Sequence, residues 1–354
     1  TTGTGAIDLD GLGALTLSDV DTVNGAITVT SAGALTVTDV ASGTNGNISL
    51  TTTSGDITGL ATVNAGSGNV TLNSAGAIAD DGSTGTVVTG GVLTADAAGA
   101  ITIDSTVTSA DISTSAAGAI ALDETDGITL TDLDTTDGSI TVSAGGALTA
   151  TDVVAGGGTG DSVTLSTTTG GAVATLVTGA DAVSITADAG DITIGAVTAT
   201  AGTLGVTATT GSINDAADDS TADFTAVGLI TLTAQDEIGV LGSGTDTDLE
   251  FAASSSVNVS TTGTGAIDLD GLGALTLSDV DTADGTITVT SGGALTVTDV
   301  ATGNNNAIAL TTSSGDITGL ATVNAGSGAV TLNAAGAIVD DSDASTVVTG
   351  GVLT

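Results

Sequence analysis

The sequence predicts an all-β chain wound as a parallel β-helix (β-solenoid), with about 22 residues per coil and about 16 coils. Three observations predict it. Residues 1–94 recur as residues 261–354, with 77 of those 94 positions identical. Inside that 260-residue period, apolar residues return at a much shorter and nearly constant spacing. Within each short unit they alternate with polar residues, and Gly, Asn and Asp interrupt them every few positions. Alternation is the strand period and the interruptions are turns, so a helix is disfavoured.

The long repeat comes first. The segment TTGTGAIDLDGLGALTLSDVD is unchanged between its two copies. The chain therefore reads as one continuous solenoid over residues 1–354, a long repeat at 1–260 followed by a partial copy at 261–354. It looks like a segment cut from a longer rod, and about 16 coils at 4.8 Å each predict roughly 80 Å of length.

The short unit comes next. Ile7, Leu9, Leu15, Leu17 and Val20 set a template that Ile27, Val29, Leu35, Val37 and Val40 repeat. Ile120, Leu122, Ile128, Leu130 and Leu133 follow it, as do Ile140, Val142, Leu148, Ala150 and Val153. Coils are expected to start at Ile7, Ile27, Ile48, Val70, Leu93, Ile120, Ile140, Val163, Val183, Leu204, Ile230, Leu249 and Ile267. Each strand is too short to stand alone, and stacking on the next coil buries its apolar face. Two coils are long, Leu93 to Ile120 and Leu204 to Ile230, and both are expected to bulge outward. The second carries NDAADDSTADF at 214–224. Of the two aromatics, Phe251 falls at a core offset and Phe224 is expected over the long loop or at a coil edge.

Composition bounds the chemistry. The chain has no Lys, Arg, His, Cys, Pro, Met, Trp or Tyr, and its formal net charge is −41. Nucleic acid and anionic membranes are excluded as partners by charge, and no stretch is long and apolar enough for a spanning helix. Cations are the natural ligands. There is no His or Lys base, no thiol nucleophile and no imidazole metal ligand, so the chain is expected not to be an enzyme. Paired carboxylates such as Asp80–Asp81, Asp340–Asp341 and Asp218–Asp219 could in principle hydrolyse glycosides, but aromatic sugar platforms are missing. The Gly-rich GTGDS at 158–162 lacks the lysine of a phosphate loop and reads as a turn. Outward threonines such as Thr28 and Thr30 reflect β propensity, because the row is too irregular for an ice-binding face. Asn47, Asn69 and Asn258 open glycosylation-like triplets whose middle residue is a core position, so they read as turn residues or a stacked amide row.

Asp recurs at one offset in adjacent coils, as Asp19 with Asp39, Asp132 with Asp152 and Asp279 with Asp299. Stacking would bring each pair to roughly 5 Å. Such carboxylates are either a solvated acidic corner or are bridged by a cation. Ca²⁺, which takes oxygen ligands, is the cofactor the pattern suits. The acidic loop with Asp215, Asp218, Asp219 and Asp223 is a second candidate.

The motifs GAITVTSAGALTVTDV (25–40) and GSITVSAGGALTATDV (138–153) resemble the repeats of large bacterial surface exoproteins. The filamentous haemagglutinin type, with its G-x-L-x-L-x-A-x-G-x-L repeats, is the family meant. The resemblance implies a right-handed parallel β-helix, secretion, and a role as stalk, filament or adhesin. The expected function is a structural, extracellular filament or surface-layer repeat with a cation-binding acidic surface. Its partners would be copies of itself, end to end or side by side, and divalent cations. The alternative is the stalk of a large adhesin whose binding tip lies outside this segment.

Overall fold

Period-two alternation makes strands, and the turn residues between them make corners. In the computed structural model the chain is an all-β parallel solenoid of about 16 turns, about 21 residues apart. It describes residues 3–85, 87–217, 219–239, 248–343 and 347–354. By packing the chain divides into two compact units, residues 1–170 with 178–180 and residues 171–177 with 181–354.

In the first unit each early coil contributes one strand to each of three parallel ladders. The first runs Ile7, Ile27, Ile48, Val70, Leu93. The second runs Leu15, Leu35, Ile57, Ile78, Ile101. The third runs Val20, Val40, Val63, Val88. Ile27, Leu35, Val40 and Val63 are wholly buried, so the three rows meet in one apolar interior. In the second unit the partial copy repeats the pairing, rung for rung. Ile267, Ile287, Ile308, Val330 and Leu353 form one ladder. Leu275, Leu295, Ile317 and Ile338 form another, and Val280, Val300, Val323 and Val348 a third.

The two long coils behave differently from each other. Leu93 to Ile120 does not bulge. Val88–Ala97 and Ile101–Ala117 are strands throughout, and Ala110 takes the rung after Leu93. Ile120 follows Ile101 on the second ladder, so the apolar pair Ile120 and Leu122 sits on a different face from Ile7 and Leu9. The cause is a small residue. Ala110, with no exposed surface, fills the place that a branched residue fills elsewhere, and the alternation of Ile101, Ile103, Ser105 and Val107 slips by one residue before it. Leu204 to Ile230 does bulge: Ile194 pairs with Asp215 and Val197 with Phe224, so residues 216–223 lie opposite only Gly195 and Ala196. Phe224 is not at the edge of this loop. It is fully buried on a ladder rung and its ring stacks on Phe251, centroids 5.4 Å apart. Leu249 starts no equivalent of the Ile230 rung, since Ile230 pairs with Val257 and Leu249 with Leu269.

Corners are sealed by buried hydroxyls. Thr22 donates to the Gly25 carbonyl at 2.6 Å, and Thr282 to that of Gly285 at 2.7 Å in the second copy. Thr52, Thr114, Thr135 and Thr261 make the same reach of three or four residues. Each points inward within or just past a strand, is at most 5% exposed, and satisfies a corner carbonyl. Asn47 and Asn69 act as turn residues through their side-chain oxygens: the Asn69 backbone N–H donates to Asn47 Oδ1 at 2.9 Å and the Val92 backbone N–H to Asn69 Oδ1 at 3.3 Å, whereas Asn258 lies inside the strand Ser255–Thr261. Corner glycines are stacked as tightly. A Cβ on Gly46 would overlap the Gly25 carbonyl beneath it, whereas one on Gly205 would meet nothing within 4 Å.

Two outcomes follow from these corners. Gly46→Ala is expected to destabilise by about 1–3 kcal/mol through backbone overlap, while Gly205→Ala leaves stability unchanged or raises it by about 0.4–1 kcal/mol. Denaturant midpoints of the two variants decide it, and equal losses would contradict the corner packing. Thr282→Val keeps the shape but strands the Gly285 carbonyl, with an expected cost of about 1–3 kcal/mol.

Candidate metal centre

Every carboxylate in this protein lacks a basic partner, because the sequence holds no Lys, Arg or His. Buried carboxylates must therefore be compensated by hydrogen bonds, a proton or an external cation.

The stacked Asp pairs are adjacent as expected. Val20 pairs with Val40, Leu133 with Val153 and Val280 with Val300, which sets Asp19 beside Asp39, Asp132 beside Asp152 and Asp279 beside Asp299. All six are exposed or half-buried. Burial and then the Asp21 and Asp19 charges push the Asp39 carboxyl up; burial and then Asp279 do the same to Asp299. Asp281, between Asp279 and Asp299, is pushed up to about 6 by burial and those two charges. Buried Oδ1 atoms of Asp152 and Asp281 have no hydrogen-bond partner.

A tighter cluster lies at the excursion. Asp215 ends the strand Ile213–Asp215, Asp223 precedes the rung of Phe224, and Glu250 is the middle of Leu249–Phe251. One oxygen from each lies within 4.8 Å of the others, the single such group of three among the described residues. Phe224 and Phe251 face the interior, so alternation sends Asp223 and Glu250 to the opposite side. They are nonetheless only 3% and 1% exposed, and Asp215 is 9% exposed.

The backbone holds the three in place. Asp223 N–H donates to the Glu250 carbonyl at 3.0 Å, and Glu250 N–H returns to Asp223 Oδ2 at 2.9 Å. Ala217 N–H donates to Asp215 Oδ1 at 2.9 Å. Glu250 Oε1 is buried with no hydrogen-bond partner. Burial foremost, then the Asp223 carboxylate, pushes the Glu250 carboxyl far above its ordinary range. Burial also raises Asp223 and Asp215.

Of the other loop residues, Asp219 turns away to a local use: its Oδ1 accepts from Thr221 N–H at 2.7 Å and from the Thr221 hydroxyl. Asp218 lies outside the described residues. Glu250, distant in sequence, replaces both. Nothing in its own triplet marks it, because alternation alone would leave it in water.

Asp80 and Asp81 accept from the backbone N–H two residues on, at Gly82 and Ser83. Asp340 and Asp341 do the same at Ser342 and Asp343 in the second copy. These pairs hold turns.

Glu124 is a second buried acid, 1% exposed, and its sequence does mark it: Ile120, Leu122 and Glu124 share one inward parity. Its Oε2 accepts from Ser105 at 2.6 Å, and Val107 N–H donates to both oxygens at 3.1–3.2 Å. Asp126 N–H adds a long contact of 3.4 Å. Desolvation outweighs these donors and pushes the carboxyl up to about 7.

No helix among the described residues is long and apolar enough to cross a membrane. Comparisons with protein-family models, with curated proteins and with solved structures found no match.

Because Glu124 binds its proton more tightly folded than unfolded, its share of stability is complete below about pH 4.5 and is lost as pH rises through about 7. Glu124→Gln is expected to flatten the fall in melting temperature between pH 5 and 8. An unchanged slope in the variant would show that Glu124 titrates normally.

Proposed function

We propose that this chain is a structural repeat segment of an extracellular filament or surface layer. The observation that carries the reading is the duplication of three ladders in one register, Ile7 to Leu93 and again Ile267 to Leu353. A repeated scaffold multiplies length and surface, and a single shaped reaction site gains nothing from it. Imidazole and amine bases, thiol nucleophiles and cationic phosphate clamps are absent from the sequence, which supports a role other than catalysis. The absence of Lys and Arg also removes every trypsin-type cleavage site, an advantage outside the cell.

The acidic surface supports partners of two kinds. With −41 formal charge, copies of the chain repel each other in dilute salt and are drawn together by divalent cations. Corners such as Asp19–Asp39 and Asp279–Asp299 present paired carboxylates for this bridging. The second reading, a stalk of a filamentous-haemagglutinin-type adhesin, rests on the GAITVTSAGALTVTDV motif. A distinct globular domain at the end of a longer chain would favour it.

Light scattering and negative-stain electron microscopy test the filament reading. Millimolar Ca²⁺ is expected to bundle the protein reversibly, with dispersal on chelation or in high monovalent salt. Scattering that ignores Ca²⁺ would remove cation-bridged association.

A further inference from the structure

The geometry points to a specific Ca²⁺ site formed by Asp215, Asp223 and Glu250, which clamps the 216–223 excursion to the coil that follows it. The inference does not depend on whether the solenoid forms filaments.

Three facts carry it. The donors are carboxylate oxygens, with no nitrogen or sulfur nearby in kind, and such a set selects a hard cation. One oxygen from each lies within 4.8 Å of the others, close enough for all three to ligate one calcium ion, whose Ca–O bonds are about 2.4 Å. Ca²⁺ accepts an irregular set of carboxylate oxygens, whereas Mg²⁺ demands a near-ideal octahedron and keeps much of its water. The third fact is independent of the clustering. Glu250 is 1% exposed, one of its carboxylate oxygens lies within 4.8 Å of oxygens of Asp215 and Asp223, and its Oε1 has no hydrogen-bond partner. In a chain with cationic side chains a lysine or arginine could fill that role. This chain has none, so the counter-charge has to come from solution.

The arrangement also explains why the excursion is tolerated. Asp215 stands where the chain leaves the ladder and Asp223 where it returns. Glu250 belongs to the next rung, held to Asp223 by the reciprocal backbone contacts of 2.9 and 3.0 Å. A cation held by all three closes the excursion at its base and ties it to its neighbour. Without the ion, the three groups either take up protons, which link nothing, or repel one another as like charges in a site nearly free of water.

The other acidic groups do not match this. Asp281 and Asp152 each have an unpartnered oxygen, but both residues are only half-buried, and among the described residues neither belongs to a group of three converging ligands.

The test uses the full chain, freed of metal with a chelator and held in high monovalent salt to suppress diffuse counterion binding. Calcium chloride is titrated by calorimetry, and melting is followed by circular dichroism. The wild type is expected to take up Ca²⁺ at a saturable site near one per chain and to melt higher when loaded. Glu250→Gln and Asp223→Asn are expected to lose that uptake, with affinity falling roughly ten-fold or more. Metal-free Glu250→Gln should melt no lower than metal-free wild type, because the amide replaces a carboxyl whose ionised form burial and the Asp223 carboxylate already disfavour. The sign of the two effects therefore differs between wild type and variant. Asp19→Asn, at an exposed corner, should leave the saturable uptake intact. Should Glu250→Gln lose its β-sheet signal, Asp215→Asn supplies the same comparison. Wild-type uptake that does not saturate in high salt, or saturable uptake undiminished in these variants, overturns the site. Bundling by Ca²⁺ should persist in Glu250→Gln, so failure of the filament reading and failure of this site are separate outcomes.

Discussion

A coil of about 21 residues cannot bury its own apolar side chains, and the rest of the structure follows from that constraint. Each Ile, Leu or Val row is covered along the stack by the same row one coil away and across the interior by the other rows. Backbone hydrogen bonds run between coils, so the spacing along the stack is set by the strand ladder. Corners must then be as thin as strands. Gly46 stacks on the Gly25 carbonyl because nothing larger fits at that spacing, and corner carbonyls turn to buried hydroxyls such as Thr22 and Thr282. The interior is built from branched aliphatics, alanine and these hydroxyls, with Phe224 and Phe251 as its two large members.

The ladder constrains rungs but not the path between them, which explains what the sequence reveals. Ile7, Ile27, Ile48, Val70 and Leu93 are legible because each is a large apolar residue at nearly equal spacing, and alternation assigns their faces. The path from Leu93 to Ile120 is not legible in the same way. A coil there spans only 17 residues, from Leu93 to Ala110, and alanine does not announce a core position. The next strong pair, Ile120 and Leu122, fits the spacing template while lying on another face. Period two identifies strands and their inward residues; it carries no label for which of three ladders a strand joins. Phe224 is obscured for a related reason, since it follows an excursion that breaks the count.

The acidic cluster shows the same limit at the level of chemistry. Asp215 and Asp223 are visible as an acidic loop, but Glu250 lies a coil further on and shares their site only through the Phe224–Phe251 rung. Asp219, adjacent in sequence, is engaged by Thr221. Glu124 is the contrasting case. Its inward parity is readable from Ile120 and Leu122, and its burial needs no knowledge of another coil beyond the Ser105 rung.

Charge makes these two acids unlike in kind. Glu124 faces hydrogen-bond donors, Ser105 and the Val107 amide, so its compensation is built into the coil beneath it. At Asp215, Asp223 and Glu250 the backbone supplies one donor each to Asp215 and Asp223 and none to Glu250 Oε1. A buried carboxyl in this protein can be neutralised by a proton, which needs no room and binds one site at a time. A divalent cation needs several oxygens at fixed distance and, where it finds them, links chain segments that a proton leaves separate. The excursion at 216–223 is the one place among the described residues where three carboxylates converge and also where the ladder needs a link. Geometry and charge thus meet where the solenoid leaves its own repeat.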